Sequence, residues 1–329
     1  MSTTRILEYQ LSCIGGLEDV AIDELQADLG GRIHALRVER GEVGRLFFRT
    51  EASPRRLLEL GCPTAIEALA AQAHDVTVGQ PGLLRVLRCL RTLPIDAVQR
   101  LARACDSDID LSRVELRVTM SGAHRFAVKD VEHGAQPILQ EAGLRTDRDA
   151  SGTRPLRLTV RIRGKRVLAT LQLGRRRPTG DPRREGWTGP AENSVRRLLD
   201  LDADLPVVSF PAPGVRSGFT VAASSMAGPG RFVAQSEQLP VASGSLPVLL
   251  SVPRLEHNNI AQQLQEAVRA VSPGGVLGLL VRRGEVLVSL LRSLGLPLEV
   301  MATVPFYLRR RRYALFLLER LELLGIEAV

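Results

Sequence analysis

Two stretches of the chain carry residue types at spacings that could do chemistry. The first lies between Val195 and Ala227. Its apolar run Leu205–Phe210 meets a Pro/Gly-rich turn, and Ser217-Gly218 then opens a helix-like segment. A strand, a small-residue turn and a helix N-terminus are the parts of a nucleotide-cofactor pocket, because N–H groups at a helix start face an anion or a carboxylate. Two features argue against a working pocket. No acidic residue ends the strand, and Arg216 stands where backbone must approach a ligand closely. The second stretch is the period-2 run LRLTVRIRGKRVLATLQL from Leu156 to Leu173. Its alternation turns Leu156, Leu158, Val160 and Ile162 to one side and Arg157, Thr159, Arg161 and Arg163 to the other. Gly164-Lys165 makes the hairpin turn. Such a charged face is ordinarily a solvated one. The three arginines in register, followed by Lys165-Arg166 and Arg175-Arg176-Arg177, point instead to a surface that meets phosphates.

Other reactive residues are scattered. Cys13, Cys62, Cys89 and Cys105 form no CxxC pair, and with His34, His74, His124, His133 and His257 they give no zinc signature. No metal is expected, and buried free thiols are. The lone tryptophan, Trp187, either stacks on a base or pins a linker to a domain.

The background charge agrees with a polyanionic partner. The net charge is +8, and Lys129 and Lys165 are the only lysines. A GC-rich coding sequence accounts for arginine in place of lysine, but not for the excess over acids. No apolar run approaches the ~20 residues that span a membrane. The N-terminal MSTTRILEYQ lacks the apolar core of a secretory signal, so a cytoplasmic location is the expectation.

The elements that position these residues read as α/β. Residues 1–74 give strand (Leu7–Cys13), Gly15-Gly16 turn, helix with Glu18 and Asp19 in its first turn, two strands (32–39 and 43–50), a short helix capped by Ser53, and a last strand Ile66–Ala73. The order β-α-β-β-α-β is ferredoxin-like. Residues 75–174 give helices at 83–90 and 95–104, a strand at 114–120, a helix at 131–142 and the basic hairpin. Residues 175–194 are Gly/Pro/Arg-rich and read as a linker. Residues 195–329 read as a shortened Rossmann-like domain. It has a helix along Ile260, Leu264 and Val268, the strand Val276–Val281 after Pro-Gly-Gly, a helix at 286–294, and a closing hairpin around Arg309-Arg310-Arg311-Arg312.

The opening YQLSCIGGLEDVAIDEL resembles the start of THUMP-containing RNA methyltransferases, which have Pro-Gly-Leu-Glu where this chain has Gly15-Gly16-Leu17-Glu18. The block from Val114 to Leu173 is similar to a THUMP core, with Arg125 and Lys129 in its basic/aromatic segment. Ser194–Leu199 matches the helix entering the methyltransferase domain. The resemblance implies a ferredoxin-like domain, a THUMP domain that binds RNA (the tRNA acceptor region in several members), and a Rossmann-like domain using S-adenosylmethionine for guanine-N2 methylation. THUMP domains also accompany 4-thiouridine synthesis, whose SGGxDS loop is absent here: Ala242-Ser243-Gly244-Ser245 lacks the second glycine and the aspartate.

Carried over residue by residue, the resemblance leaves a degenerate site. Of the family's Asp-Pro-Phe-Cys-Gly-Ser-Gly-Thr loop, only Pro213, Ser217 and Gly218 match. The strand Arg231–Glu237 offers Glu237 as the acid for ribose hydroxyls, yet too few residues follow before Leu246–Ser251 for a parallel crossover. A helix and a strand therefore read as shortened or missing. The catalytic Asn-Pro-Pro-Tyr is replaced by Ser251-Val252-Pro253-Arg254. There Ser251 accepts one hydrogen bond, Pro253 is kept and Arg254 can stack on a base. Asn258 nearby has the wrong spacing. The expected protein is an RNA-binding (tRNA or rRNA) THUMP relative with weak or lost catalysis, a pseudoenzyme. The alternatives are an active S-adenosylmethionine-dependent guanine-N2 methyltransferase with divergent motifs, and a basic scaffold protein.

Overall fold

The structure is a computed structural model that describes residues 7–146, 154–175, 190–200, 207–210, 219–222, 230–232, 239, 241–251, 253, 255, 260–308 and 311–322. Contacts divide the chain into two units: Met1–Ser12, Ile22–Glu39 and Arg45–Arg176 form one, and Cys13–Ala21, Arg40–Gly44 and Arg177–Val329 the other. Among the described residues the architecture is mixed α/β, with two seven-stranded sheets. Among the described residues no helix is long and apolar enough to cross a membrane.

The first sheet takes its strands from both of the first two segments of the sequence. In chain order they are β1 (Leu7–Ile14), α1 (Glu18–Leu29), β2 (Ile33–Glu39), β3 (Val43–Thr50), α2 (Pro54–Glu59) and β4 (Ala65–Ala73). There follow α3 (Gln80–Arg91), α4 (Ile95–Cys105), β5 (Ile109–Ser121), α5 (Val128–Glu141), β6 (Arg154–Arg163) and β7 (Arg166–Arg175). The strand order β2-β3-β1-β4-β7-β6-β5 makes one continuous sheet, because β4 pairs antiparallel with β7 from Ala65↔Arg175 to Ala73↔Val167. The expected β-α-β-β-α-β order is present. Ser53 occupies the N-cap of α2 but makes no side-chain cap; its carbonyl accepts the Arg56 N–H at 3.0 Å instead. Glu24 takes over a local pinning task, accepting from the N–H groups of Gly61 and Cys62 at 2.7 and 2.9 Å.

One face of this sheet is apolar and the other polar, as the period-2 pattern requires. Leu156, Leu158, Val160 and Ile162 of β6 and Val167, Ala169 and Leu171 of β7 are all buried in the core that α3 and α5 complete. The two helices approach closely where Gly134 meets Leu87: a Cβ at residue 134 would lie 2.6 Å from the leucine side chain. The β6–β7 hairpin turns at Gly164, whose φ of +52° suits a residue without a Cβ.

The second sheet has the order β10-β9-β8-β11-β12-β14-β13. It is entered through α6 (Pro190–Leu198), so helix begins within the expected linker, with proline at its first position. The strands are β8 (Val207–Phe210), β9 (Phe219–Ala222), β10 (Gly230–Phe232) and β11 (Leu246–Ser251). After α7 (Ile260–Ala270) come β12 (Val271–Val281), α8 (Gly284–Leu294), β13 (Leu298–Leu308) and β14 (Arg311–Arg320). β8, β11 and β12 run parallel, with α7 as the β11–β12 crossover and β13–β14 as the closing antiparallel hairpin. Where a helix is expected after Ser217-Gly218, the described residues Phe219–Ala222 are a strand, antiparallel to β8 from Val207↔Ala222 to Ser209↔Thr220. Only residues 211–218 connect the two, which suffices for a hairpin and not for a parallel crossover of a dozen or more. Of the expected strand over Arg231–Glu237, Arg231 and Phe232 lie in β10, which is antiparallel to β9; residues 233–237 lie outside the described residues.

α7 anchors the approach to β11. Glu266 is 8% exposed and accepts the Leu239 N–H at 2.7 Å. Arg269 pairs with Glu266 at 2.7 Å and donates to the carbonyls of Leu239 and Val241 at 3.2 and 3.0 Å. The Arg269 hydrogen bond holds the Glu266 carboxyl below its usual range despite burial, and the same bond raises the Arg269 guanidinium.

Candidate functional site

In an open α/β sheet, ligands bind outside the carboxyl ends of the strands, where the strand order reverses. In the second sheet that point lies between β8 and β11, since β9 leaves from one side and β12 from the other. Ser251 ends β11 there, in register with Phe210 of β8 and Leu279 of β12. It is 4% exposed, and Pro253 is also buried. The position expected to carry the catalytic tetrad is therefore at the switch point. Arg254, Pro213, Ser217, Gly218 and Glu237 lie outside the described residues, as do Asn258 and Trp187.

The described backbone beside β8 departs from the usual S-adenosylmethionine site. A cofactor loop after the first parallel strand needs a helix start, whose free N–H groups and dipole meet the ligand. β8 leads into an antiparallel strand, and the N–H groups of a paired strand are committed to its ladder. The acid that would hold the ribose belongs at the end of a parallel strand on the side of β8 away from β11, and on that side β8 has the antiparallel β9.

The basic residues of the first unit are better defined. Arg157, Arg161 and Arg163 do share the polar face of β6, but their surroundings differ. Arg157 is half-exposed and pairs with Glu115 across the β5–β6 ladder at 2.9 Å. Arg161 has a side chain only 17% exposed and makes a two-pronged pair with the buried Glu67, both contacts at 2.5 Å. Thr170 Oγ1 donates to the same carboxylate at 2.8 Å. Arg161 is thus a member of a buried ion pair and not a free cation for phosphates, because the sheet stacks β4, β7 and β6 side by side and places an acid within its reach.

Arg163, Lys165 and Arg166 stand at the β6–β7 turn; Arg163 and Lys165 are exposed, and Arg166 is half-buried with one N–H to Gln72 at 3.3 Å. The backbone brings Arg125 to the same end of the sheet. The Gly164 N–H donates to Ser121 at 3.0 Å, the Val76 N–H to Lys165 at 2.9 Å, and the Arg125 N–H to Val78 at 2.7 Å. Arg125 is exposed, and Lys129 is exposed in the first turn of α5. Asp130 starts that helix by accepting the Ala127 N–H at 2.6 Å. Arg175 ends β7, where its backbone pairs with Ala65; its side chain, Arg176 and Arg177 lie outside the described residues.

Two residues absent from the sequence reading join this basic face: Arg45 on β3 and Gln10 on β1. Burial, then the nearby Arg163 and Arg161, push the Arg45 guanidinium below its usual range, against the pull of Glu39 and Glu67. The alternation of Gly44, Leu46 and Phe48 with Arg45 and Phe47 marks Arg45 as facing away from the main core. Which strands it faces does not follow from local pattern.

The two sheets make this a mixed α/β protein, and solved structures show the fold to be methyltransferase-like. No protein-family model and no curated protein matches the chain. Solved structures do. TrmN from Thermus thermophilus is 17% identical, with a TM-score of 0.63 over 96% of this chain and 100% of that one. The predicted N6-adenine-specific DNA methylase of Listeria monocytogenes str. 4b F2365 is 13% identical, with a TM-score of 0.58 over 95% and 96%. SMU.472, a candidate methyltransferase crystallised with SAH, is 11% identical, with a TM-score of 0.52 over 95% and 97%.

Proposed function

We propose that the protein is an RNA-binding relative of the S-adenosylmethionine-dependent RNA methyltransferases whose own catalysis is weak or lost. Its first unit is read as the RNA-binding part, with the tRNA acceptor region or rRNA as partner, and Arg125, Lys129, Arg163, Lys165 and Arg166 as phosphate contacts. Their exposure or half-exposure at one end of the first sheet supports that role. The observation that carries the loss of catalysis is the antiparallel β8–β9 pairing where a cofactor site calls for a helix start. Residues 1–74, 75–174 and 195–329 are read as ferredoxin-like, THUMP and degenerate methyltransferase-type domains.

A second reading is favoured by a specific observation. Ser251 and Pro253 sit at the switch point of a fold that SMU.472 shares and in which that protein was crystallised with SAH. On this reading the chain is an active guanine-N2 RNA methyltransferase with divergent motifs. Incubation with tRNA and radiolabelled S-adenosylmethionine separates the two. The first predicts tRNA retention by the protein with no label in the RNA. Label incorporated into guanine establishes the second.

A further inference from the structure

A small pocket of about 50 Å³ opens on the polar face of the first sheet. Its polar wall comes from strands far apart in sequence: Gln10 of β1, Glu39 of β2, Arg45 of β3, Arg161 and Arg163 of β6, and Arg166 of β7. A water requires roughly 10–15 Å³ on the same scale, so the space takes on the order of four oxygen-sized groups.

The charges in the pocket do not close among themselves. Arg161 is neutralised by Glu67 at 2.5 Å. Glu39 lies opposite Arg45 in the β2–β3 ladder and is the only carboxylate among the described residues of the pocket wall. Arg163 and Arg166 lie directly opposite each other across the β6–β7 hairpin, an arrangement that like charges disfavour. Two buried donors have no acceptor: Nε2 of Gln10 and Nε of Arg166. Gln10 is 2% exposed, and its Oε1 accepts from Arg161 at 3.4 Å. Arg161 can only donate, so that contact fixes the amide with its NH2 turned away from the guanidinium. A buried donor without an acceptor costs free energy, and here it stands among excess cations. A metal ion is excluded by that charge. A tetrahedral oxyanion meets every requirement at once, since arginine forks match phosphate oxygens.

We infer that this pocket binds one phosphate group, through the guanidinium groups of Arg45, Arg163 and Arg166 and the Nε2 of Gln10. The chemistry is shared by an RNA backbone phosphate and free inorganic phosphate, and only the choice of the first as the source rests on the RNA-binding reading. Burial and then the neighbouring Arg163 and Arg161 lower Arg45, and a bound anion opposes the charge part of that effect.

The test is a thermal-melt titration of the full chain with sodium phosphate, against sodium chloride at matched ionic strength. Saturable stabilisation by phosphate alone is expected. Arg163→Gln, at an exposed position that faces Arg166 across the hairpin, should melt no lower than the parent without phosphate, because it removes like-charge repulsion, and bind phosphate about tenfold more weakly or worse, as loss of a charged hydrogen bond requires. Arg45→Gln should weaken phosphate binding by a similar factor. Superimposed phosphate and chloride curves overturn the proposal, and so does unchanged phosphate affinity in Arg163→Gln. Adding tRNA then identifies the source. If tRNA displaces phosphate, the group belongs to RNA. If phosphate binds and tRNA does not bind at all, the pocket stands and the RNA-binding reading fails.

Discussion

Replacing Arg161 with alanine should damage the fold more than any other single change on the basic face. Its guanidinium makes two contacts of 2.5 Å with Glu67, whose side chain is 7% exposed. Without Arg161, the carboxylate keeps a hydrogen bond from Thr170 and loses its charge partner. Breaking one side of a buried pair costs about 3–5 kcal/mol, because an uncompensated charge remains. Arg157 is the internal comparison. It pairs with Glu115 at 2.9 Å with side chains 53% and 55% exposed, a setting worth about 0–1 kcal/mol. For a unit of this size each kcal/mol moves Tm by about 2–4 °C, so Arg161→Ala should lower Tm by roughly 6–20 °C and Arg157→Ala by less than about 4 °C. Circular-dichroism melts at pH 7 measure both. Replacing Arg161 and Glu67 together by methionine should restore most of the loss, since a well-packed apolar pair commonly matches a buried ion pair. Equal Tm values for Arg161→Ala and Arg157→Ala would refute the reasoning. The consequence for RNA work is direct: weakened binding in Arg161→Ala reports unfolding as well as lost charge.

Three other outcomes are expected. Arg163→Ala and Lys165→Ala, at exposed positions, should each weaken tRNA binding across sequences and reduce the slope of log K against log salt by about 1, read by fluorescence anisotropy. Glu266→Ala should cost about 2–3 kcal/mol in urea melts, from the lost charged hydrogen bonds to Leu239 and Arg269. Because the folded-state value of Glu266 is lowered, its contribution is full above the ordinary carboxyl range and disappears as pH falls through the lowered value. The parent and variant stabilities should therefore converge only in acid. Cys105 is half-buried and its thiol is pushed up to about 11, chiefly by burial, so iodoacetamide at pH 8 should modify it about 100-fold more slowly than an ordinary thiol. Mass mapping of the alkylated sites measures this.

Local patterns made the elements legible. The strict alternation of β6 set both its buried face and the arginine face, and the i, i+4 stripe of α7 set its core side. Long-range pairing was not legible. The partner of Arg161 lies 94 residues away, and β4–β7 pairing brings it there. Gln10 is 151 residues from Arg161. Nothing in the alternation of either strand says which neighbour it will meet. The segment after Ser217-Gly218 shows a different limit. Small residues after an apolar run suit a cofactor turn and a hairpin equally, and connection length decided between them. That length argument was available from the sequence for the stretch around Glu237, and it applies to residues 211–218 as well.

The measurement that bears most directly on the account is calorimetric titration of the intact protein with S-adenosylmethionine, beside tRNA binding on the same preparation. The account predicts no heat of cofactor binding and measurable, salt-dependent tRNA affinity. Micromolar binding of S-adenosylmethionine would contradict it.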